Sequence, residues 1–194
     1  MWHKAFNIVC AAVGLVLLSP VFAVLAIIIK SHDCGPVFYR SKRVGQKGDE
    51  FLLFKFRSMV VGADKGGMGL TVPGDSRITS VGRLLRRTKL DELPQLINVL
   101  VGNMNLVGPR PEDPRFVSMY SVEQRRILDF KPGMTSPASL FYRNEEEFFS
   151  AEDNLRLYVE QLMPKKIEMD LAYLDHQDVL QDTAIIVRTI LAIV

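Results

Sequence analysis

The chain has 194 residues, 48% of them hydrophobic, with a formal net charge of +2. That length suffices for one domain with a real core plus a membrane element, and it excludes two well-populated domains. Two cysteines and three scattered histidines exclude a zinc centre and argue against a disulfide framework, which favours a reducing, cytoplasmic setting for the soluble part.

Ala5 to Ile29 form a nearly continuous apolar run. As a straight helix it is about 37 Å long, enough to cross a hydrocarbon core of about 30 Å with some tilt. Three readings stay open. One is a simple span. A second is a secretory signal, with small residues around Val21-Phe22-Ala23, although the apolar run continues past them to Ile29. The third turns on Ser19-Pro20, where proline removes a backbone hydrogen bond and bends or breaks the helix. A helix bent there, with Lys4 and Lys30 at its ends, enters and leaves by one face of the bilayer.

Val37-Phe38-Tyr39 and Phe51 to Phe56 flank Gly45-Gln46-Lys47-Gly48, which predicts a β-hairpin. Residues 61–76 are glycine-rich and match no phosphate-binding glycine motif, so they read as a connector or a lid. Ile78, Val81, Leu84 and Leu85 recur at helical spacing; Leu93, Leu96, Ile97 and Leu100 predict a second helix ending near Gly102. Helices are expected over 121–130, 151–163 and 165–175, and an apolar one over 183–194 that docks on the core or on a membrane surface. Charge is uneven. Six basic residues lie between Arg40 and Arg57, and ten acidic ones between Glu145 and Asp178, read as a solvated helical face.

Asp91 and Glu92 follow Arg77, Arg83, Arg86, Arg87 and Lys89 with no acidic residue between. An acidic pair opening a helix is commonly a cap that complements the helix dipole, with Pro94 tolerated in the first turn. Beside this arginine row, the same pair suits phosphate chemistry. The dipole and the arginines are expected to lower both carboxylate pKa values, one carboxylate can attack phosphorus, and the other can hold Mg²⁺. Gly108-Pro109-Arg110-Pro111 restricts an arginine between two prolines, suited to bidentate phosphate contact. A basic membrane-attached binding module and a Mg²⁺-dependent phosphohydrolase share these features. Basic residues without interleaved aromatics argue against nucleic acid as a partner.

These stretches stand in an order that resembles the bacterial sugar transferase family, the monotopic phosphoglycosyl transferases. They are Gly35-Pro36-Val37-Phe38, Lys55-Phe56-Arg57-Ser58-Met59, Arg77-Ile78-Thr79, Gly82-Arg83-Leu84-Leu85-Arg86, Leu90 to Leu96, Asn98-Val99-Leu100, Gly102-Asn103-Met104, Gly108 to Pro111 and Lys131 to Thr135. The resemblance implies an α+β, mainly helical fold. A re-entrant membrane helix (residues 1–30) kinked at Ser19 and Pro20 precedes a compact catalytic domain (31–194) with a small β-hairpin. It implies a monotopic protein on the cytoplasmic face of the bacterial inner membrane, in contact with its lipid. In that reading Asp91 attacks the β-phosphate of a UDP-sugar and expels UMP. A polyprenol phosphate, such as undecaprenyl phosphate, then takes the phosphosugar and begins a lipid-linked glycan.

Glu92 matches the expected Mg²⁺ ligand. Arg86, Arg110 and Pro111 match positions that meet substrate phosphates or nucleotide, and Lys55, Arg57 and Arg143 are weaker matches. The chain departs from the family pattern at Ser136 to Asn144, a segment expected to shape the sugar pocket. A chain of this length is also expected to be a minimal member, without the multi-span bundle or sensor domain of some relatives.

Overall fold

The computed structural model describes residues 2–63, 70–149 and 153–193. Gly66, Gly67 and Gly69 of the expected loop, the first residues of the helix expected from 151, and Val194 lie outside the described residues.

Helix α1 (Trp2–Asp33) is a single helix with Pro20 inside it. The expected break at Ser19-Pro20 does not interrupt the helical conformation, for a local reason. Proline has no N–H to give to the carbonyl of Val16, and the Ser19 hydroxyl donates to that oxygen instead, at 2.7 Å. Along one side Ala11, Leu15, Leu18, Phe22, Leu25 and Ile29 recur at alternating steps of four and three, and this seam packs on the domain. Its first half meets Leu53, Leu96, Val99 and Met104, and its second half meets Phe56 and Leu85. Both ends are pinned as well. Asn7 Oδ1 accepts the Leu106 N–H at 2.6 Å, and Asp33 at the other end pairs with Arg57. The opposite side exposes Val9, Val13, Val16, Leu17, Val24 and Ile27, and the most apolar window of the helix has a mean hydropathy of 2.8. Bare in water, such a face is unfavourable at about 25 cal/mol per Å². α1 is therefore the membrane element of the chain, held lengthwise against the domain rather than projecting from it.

Strands β1 (Phe38–Val44) and β2 (Glu50–Phe56) form the expected antiparallel hairpin, in register from Phe38 opposite Phe56 to Val44 opposite Glu50. The chain turns through Gln46–Gly48, where Lys47 and Gly48 have φ of +61° and +86°. Helix α2 (Ser80–Arg87) is capped by Thr79, whose Oγ1 accepts the Gly82 N–H at 2.9 Å. It lies so close to the exit of β2 that a Cβ on Gly82 would stand 1.8 Å from the Ser58 carbonyl oxygen.

Lys89, left-handed at φ +52°, ends that helix and starts a 3₁₀ turn over Leu90–Glu92. Helix α3 (Gln95–Leu100) follows. Asn98, wholly buried on α3, accepts the Phe54 N–H at 2.9 Å and donates to the Leu52 carbonyl at 2.8 Å. It thereby occupies the free edge of β2 and ties the acidic turn to the hairpin.

A second pairing was not legible in the sequence: β3 (Asn105–Val107) runs parallel to β4 (Gly133–Thr135). Three-residue strands carry too little periodicity to be read. A Cβ on Gly133 would lie 2.1 Å from the Gly108 nitrogen, so this contact holds Gly108-Pro109-Arg110-Pro111 flush against the segment Lys131–Thr135.

Short helices α4 (Pro114–Val117), α5 (Pro137–Phe141) and α6 (Asn154–Leu157) surround α7 (Met163–Leu174). Residues 124–129, expected as an α-helix, form a 3₁₀ helix, and Tyr158–Leu162 form a π-turn leading into α7. Phe116, Tyr120, Ile127, Phe149, Tyr158, Leu162 and Ile167 build this half of the core. The last helix, α8 (Val179–Ile193), buries Ile185 and exposes Leu180, Val187, Ile190 and Leu191.

Candidate active site

Asp91 and Glu92 do not cap a helix. They ride the 3₁₀ turn before α3, which has no side-chain cap of its own. Both carboxylates point among cations supplied by three separate segments: Lys55 from β2, Arg86 from α2 and Arg110 from the proline-flanked loop.

Glu92 is gripped on both oxygens. Lys55 Nζ donates to Oε1 at 2.9 Å, Arg110 Nη2 to the same oxygen at 2.6 Å, and Arg110 Nη1 to Oε2 at 3.2 Å. Burial opposes its ionisation, but the charges of Arg110 and Lys55 overcome that and hold its pKa well below the usual carboxylate range. Arg110 is raised in turn by the charge of Glu92, whereas burial lowers Lys55.

Asp91 behaves differently, against the expectation of two lowered values. Only 5% of it is exposed, and burial pushes its carboxyl up to about 6. Lys55 pulls that value down, while the neighbouring Glu92 charge adds to the rise. Arg86 and Lys89 of the basic row also pull it down, but burial outweighs them. Arg77 is engaged elsewhere, bound to Asp75 and to loop carbonyls.

Two buried polar atoms of the cluster lack partners among the described residues: Oδ1 of Asp91 and Nη1 of Arg86. The other end of the Arg86 guanidinium bonds Thr71 at 3.0 Å and approaches Glu146 at 3.7 Å. An unmet acceptor and an unmet donor in one buried cluster each cost about 1–3 kcal/mol, which is retained where a ligand completes them.

The remaining candidates are not brought to this cluster. Pro111 is buried beside Arg110. Arg57 is fully engaged, giving both terminal nitrogens to Asp33 and Nε to the Pro36 carbonyl at 2.7 Å. Arg143 is exposed; its guanidinium holds the Ala192 carbonyl at 2.9 Å and its own carbonyl accepts Lys89 Nζ at 3.0 Å.

Among the described residues no group of three or more carboxylate, histidine or cysteine side chains converges as a metal cage. Mg²⁺ needs no such cage, since it keeps waters and binds through one or two carboxylates plus substrate phosphates. The hard oxygens of Glu92 fit that role chemically. An ion on Glu92 would compete with Arg110 for Oε2.

A polar cleft behind Arg110 was missed in the sequence. Glu112, Tyr120, Tyr158, Lys166 and Asp170 line it with Arg110, enclosing about 310 Å³, part of it open to solvent. Lys166 Nζ bonds Glu145 at 2.6 Å and stands 5.3 Å from the centre of the Tyr158 ring. The acidic stretch read as a solvated face thus sends Glu145 and Asp170 inward. The available signal was Lys166 and Asp170 at a spacing of four beside Met163 and Ile167, placing charges on the apolar side of a helix.

Known proteins are similar to this chain in sequence. The family model described as bacterial sugar transferase matches residues 1–194. A UDP-N-acetylgalactosamine-undecaprenyl-phosphate N-acetylgalactosaminephosphotransferase of Aeromonas hydrophila is 33% identical over 192 residues, covering 96% of this chain and 42% of that protein. A UDP-glucose:undecaprenyl-phosphate glucose-1-phosphate transferase of Escherichia coli is 35% identical, covering 96% of this chain and 39% of that protein. A putative undecaprenyl-phosphate N-acetylgalactosaminyl 1-phosphate transferase of Bacillus subtilis is 42% identical over 120 residues, 62% of this chain and 67% of that protein. The chain thus spans about two-fifths of the length of the first and second of these relatives. With the whole described sequence matched and the acidic turn, arginine loop and apolar helix in one arrangement, the chain belongs to the bacterial sugar transferase family.

Proposed function

We propose that this protein transfers a phosphosugar from a UDP-sugar to a polyprenol phosphate, in the manner its relatives' names describe for undecaprenyl phosphate. The observation that carries the proposal is the buried, unpartnered Oδ1 of Asp91 beside Lys55 and the half-free guanidinium of Arg86. A carboxylate so placed is a nucleophile without a competing hydrogen bond, and a pKa of about 6 leaves it mostly ionised at neutral pH yet more basic than a free aspartate.

In the first step an Asp91 oxygen bonds to the β-phosphorus and the bond from that phosphorus to the bridging oxygen breaks, so UMP leaves with the electron pair. The enzyme then holds an acyl phosphate bearing the sugar. In the second step an oxygen of the polyprenol phosphate attacks the same phosphorus and Asp91 departs as carboxylate, leaving a polyprenyl diphospho-sugar. Arg86 and Arg110 offset the phosphate charge. Lys55 and Arg110 hold Glu92 ionised and oriented. Bound Mg²⁺, held by Glu92 and substrate phosphate oxygens, would neutralise charge on the departing UMP.

The reaction takes place at the bacterial inner membrane on its cytoplasmic side, with α1 as a re-entrant, monotopic anchor. Lengthwise docking of α1 supports this, because a helix crossing to the far side would carry half of its seam away from the domain.

The test is UMP release from a panel of UDP-sugars, with and without Mg²⁺ and polyprenol phosphate. UMP released in an amount matching the enzyme without acceptor, and catalytically with it, is expected. Release of UDP, or turnover indifferent to the lipid, would refute the reading.

A further inference from the structure

The segment that departs from the family pattern runs into an aromatic ledge at the mouth of the site. Phe141 is 71% exposed and Phe148 55% exposed, although both are large and apolar. Tyr142 lies between them, its ring 4.9 Å from that of Phe141 and 6.2 Å from that of Phe148. Polar contacts fix the ledge to the active-site elements: Glu146 faces Arg86 at 3.7 Å, the Arg143 carbonyl accepts Lys89 Nζ, and Glu145 bonds Lys166. Arg143 Nη1, bonding the Ala192 carbonyl, abuts the ledge on the end of α8, where Ile190 and Leu191 are bare. An apolar path therefore leads from the exposed stripe of α8, over the aromatics, to a guanidinium with one buried, unpartnered nitrogen.

We propose that Phe141, Tyr142 and Phe148 seat the first isoprenoid units of the acceptor lipid while Arg86 Nη1 takes its phosphate. The proposal rests on the donor–acceptor reading above and adds where the acceptor lies. The ligand chemistry follows from the juxtaposition. Exposed aromatics suit a hydrocarbon with double bonds, and the unpartnered guanidinium nitrogen beside them suits an anionic head. A UDP-sugar offers the second feature without the first. The anchoring contacts also make the ledge a fixed surface, so the chain is met by side chains that need little reordering.

Binding of undecaprenyl phosphate to the full-length protein in detergent micelles tests this directly, with a short-chain polyprenyl phosphate and UDP-sugar as comparators. The double variant Phe141→Ser/Phe148→Ser should weaken undecaprenyl phosphate binding about tenfold, and binding of the short-chain lipid, which carries the same first units, by about as much. UDP-sugar affinity should stay unchanged, and Phe141→Leu/Phe148→Leu should recover most of the lipid affinity. Unaltered lipid binding in the serine variant, or a loss that falls on UDP-sugar instead, would overturn the ledge assignment. If lipid binding falls as expected but the wild type releases no UMP from any UDP-sugar, the ledge stands and the transferase reading falls.

Discussion

Lys55 and Arg57 stand two residues apart at the end of one strand, and each is a mostly buried cation paired with a carboxylate. Their surroundings differ in one respect. At Arg57 every guanidinium nitrogen has found an acceptor, Asp33 or the Pro36 carbonyl, and the result is a rivet joining α1 to the hairpin. At Lys55 the network runs on through Glu92 and Arg110 and stops short, leaving atoms of Asp91 and Arg86 unmet. A completed network stabilises the fold; one left open in a buried site is organised for something not part of the chain. The same Lys-Phe-Arg tripeptide supplies both.

Four changes break or sharpen this contrast. Asp91→Asn removes the proposed nucleophile while nearly preserving its shape, so UMP release should fall at least about 10³-fold with no loss of melting temperature. Arg110→Ala frees Glu92 from one of its two cations and should lower kcat/KM about 10²-fold, measured by initial rates of UMP release. Arg57→Met should do the reverse. The melting temperature drops, because Asp33 and the Pro36 carbonyl lose the guanidinium that ties them to the hairpin, while kcat in the surviving protein stays close to wild type.

The smallest effect concerns Asp170, whose carboxyl burial pushes up to about 6. An acid raised in the folded state binds its proton more tightly there than unfolded. Stability therefore declines as pH rises from about 4 to about 6 and is flat above. Asp170→Asn, still able to accept from the Ala138 N–H, should erase that decline, giving roughly 2–3 kcal/mol over wild type at pH 7.5 and little at pH 4. Melting curves across that range would show the two lines converging at low pH.

Much of this was legible beforehand. The hairpin, α2, α3 and the apolar helix follow from period and turn residues, and the acidic pair stood out by its position after a basic run. What escaped was non-local. Nothing near Arg57 announces that Asp33, 24 residues away, will saturate it, so it looked no different from Lys55. The β3–β4 pairing depends on two glycines, Gly108 and Gly133, meeting across 24 residues of intervening chain. The carboxylates looked like a cap because dipole arguments assume an α-helix, and a 3₁₀ turn entered from left-handed Lys89 offers none. Burial then decided the sign of the Asp91 shift, and burial is a property of the assembled fold.

Gly82 gives the site its dimensions. With 1.8 Å between its missing Cβ and the Ser58 oxygen, the spacing between α2 and the strand exit is set by a hydrogen atom. Arg86 rides one side of that contact and Lys55 the other, so this glycine works as a gauge block for the distance between two cations of the candidate site. A single methyl group there would push the helix outward and widen the gap without altering any charged residue of the cluster. The geometry of the cluster is thus stored partly as an absence, at a position that carries no chemistry.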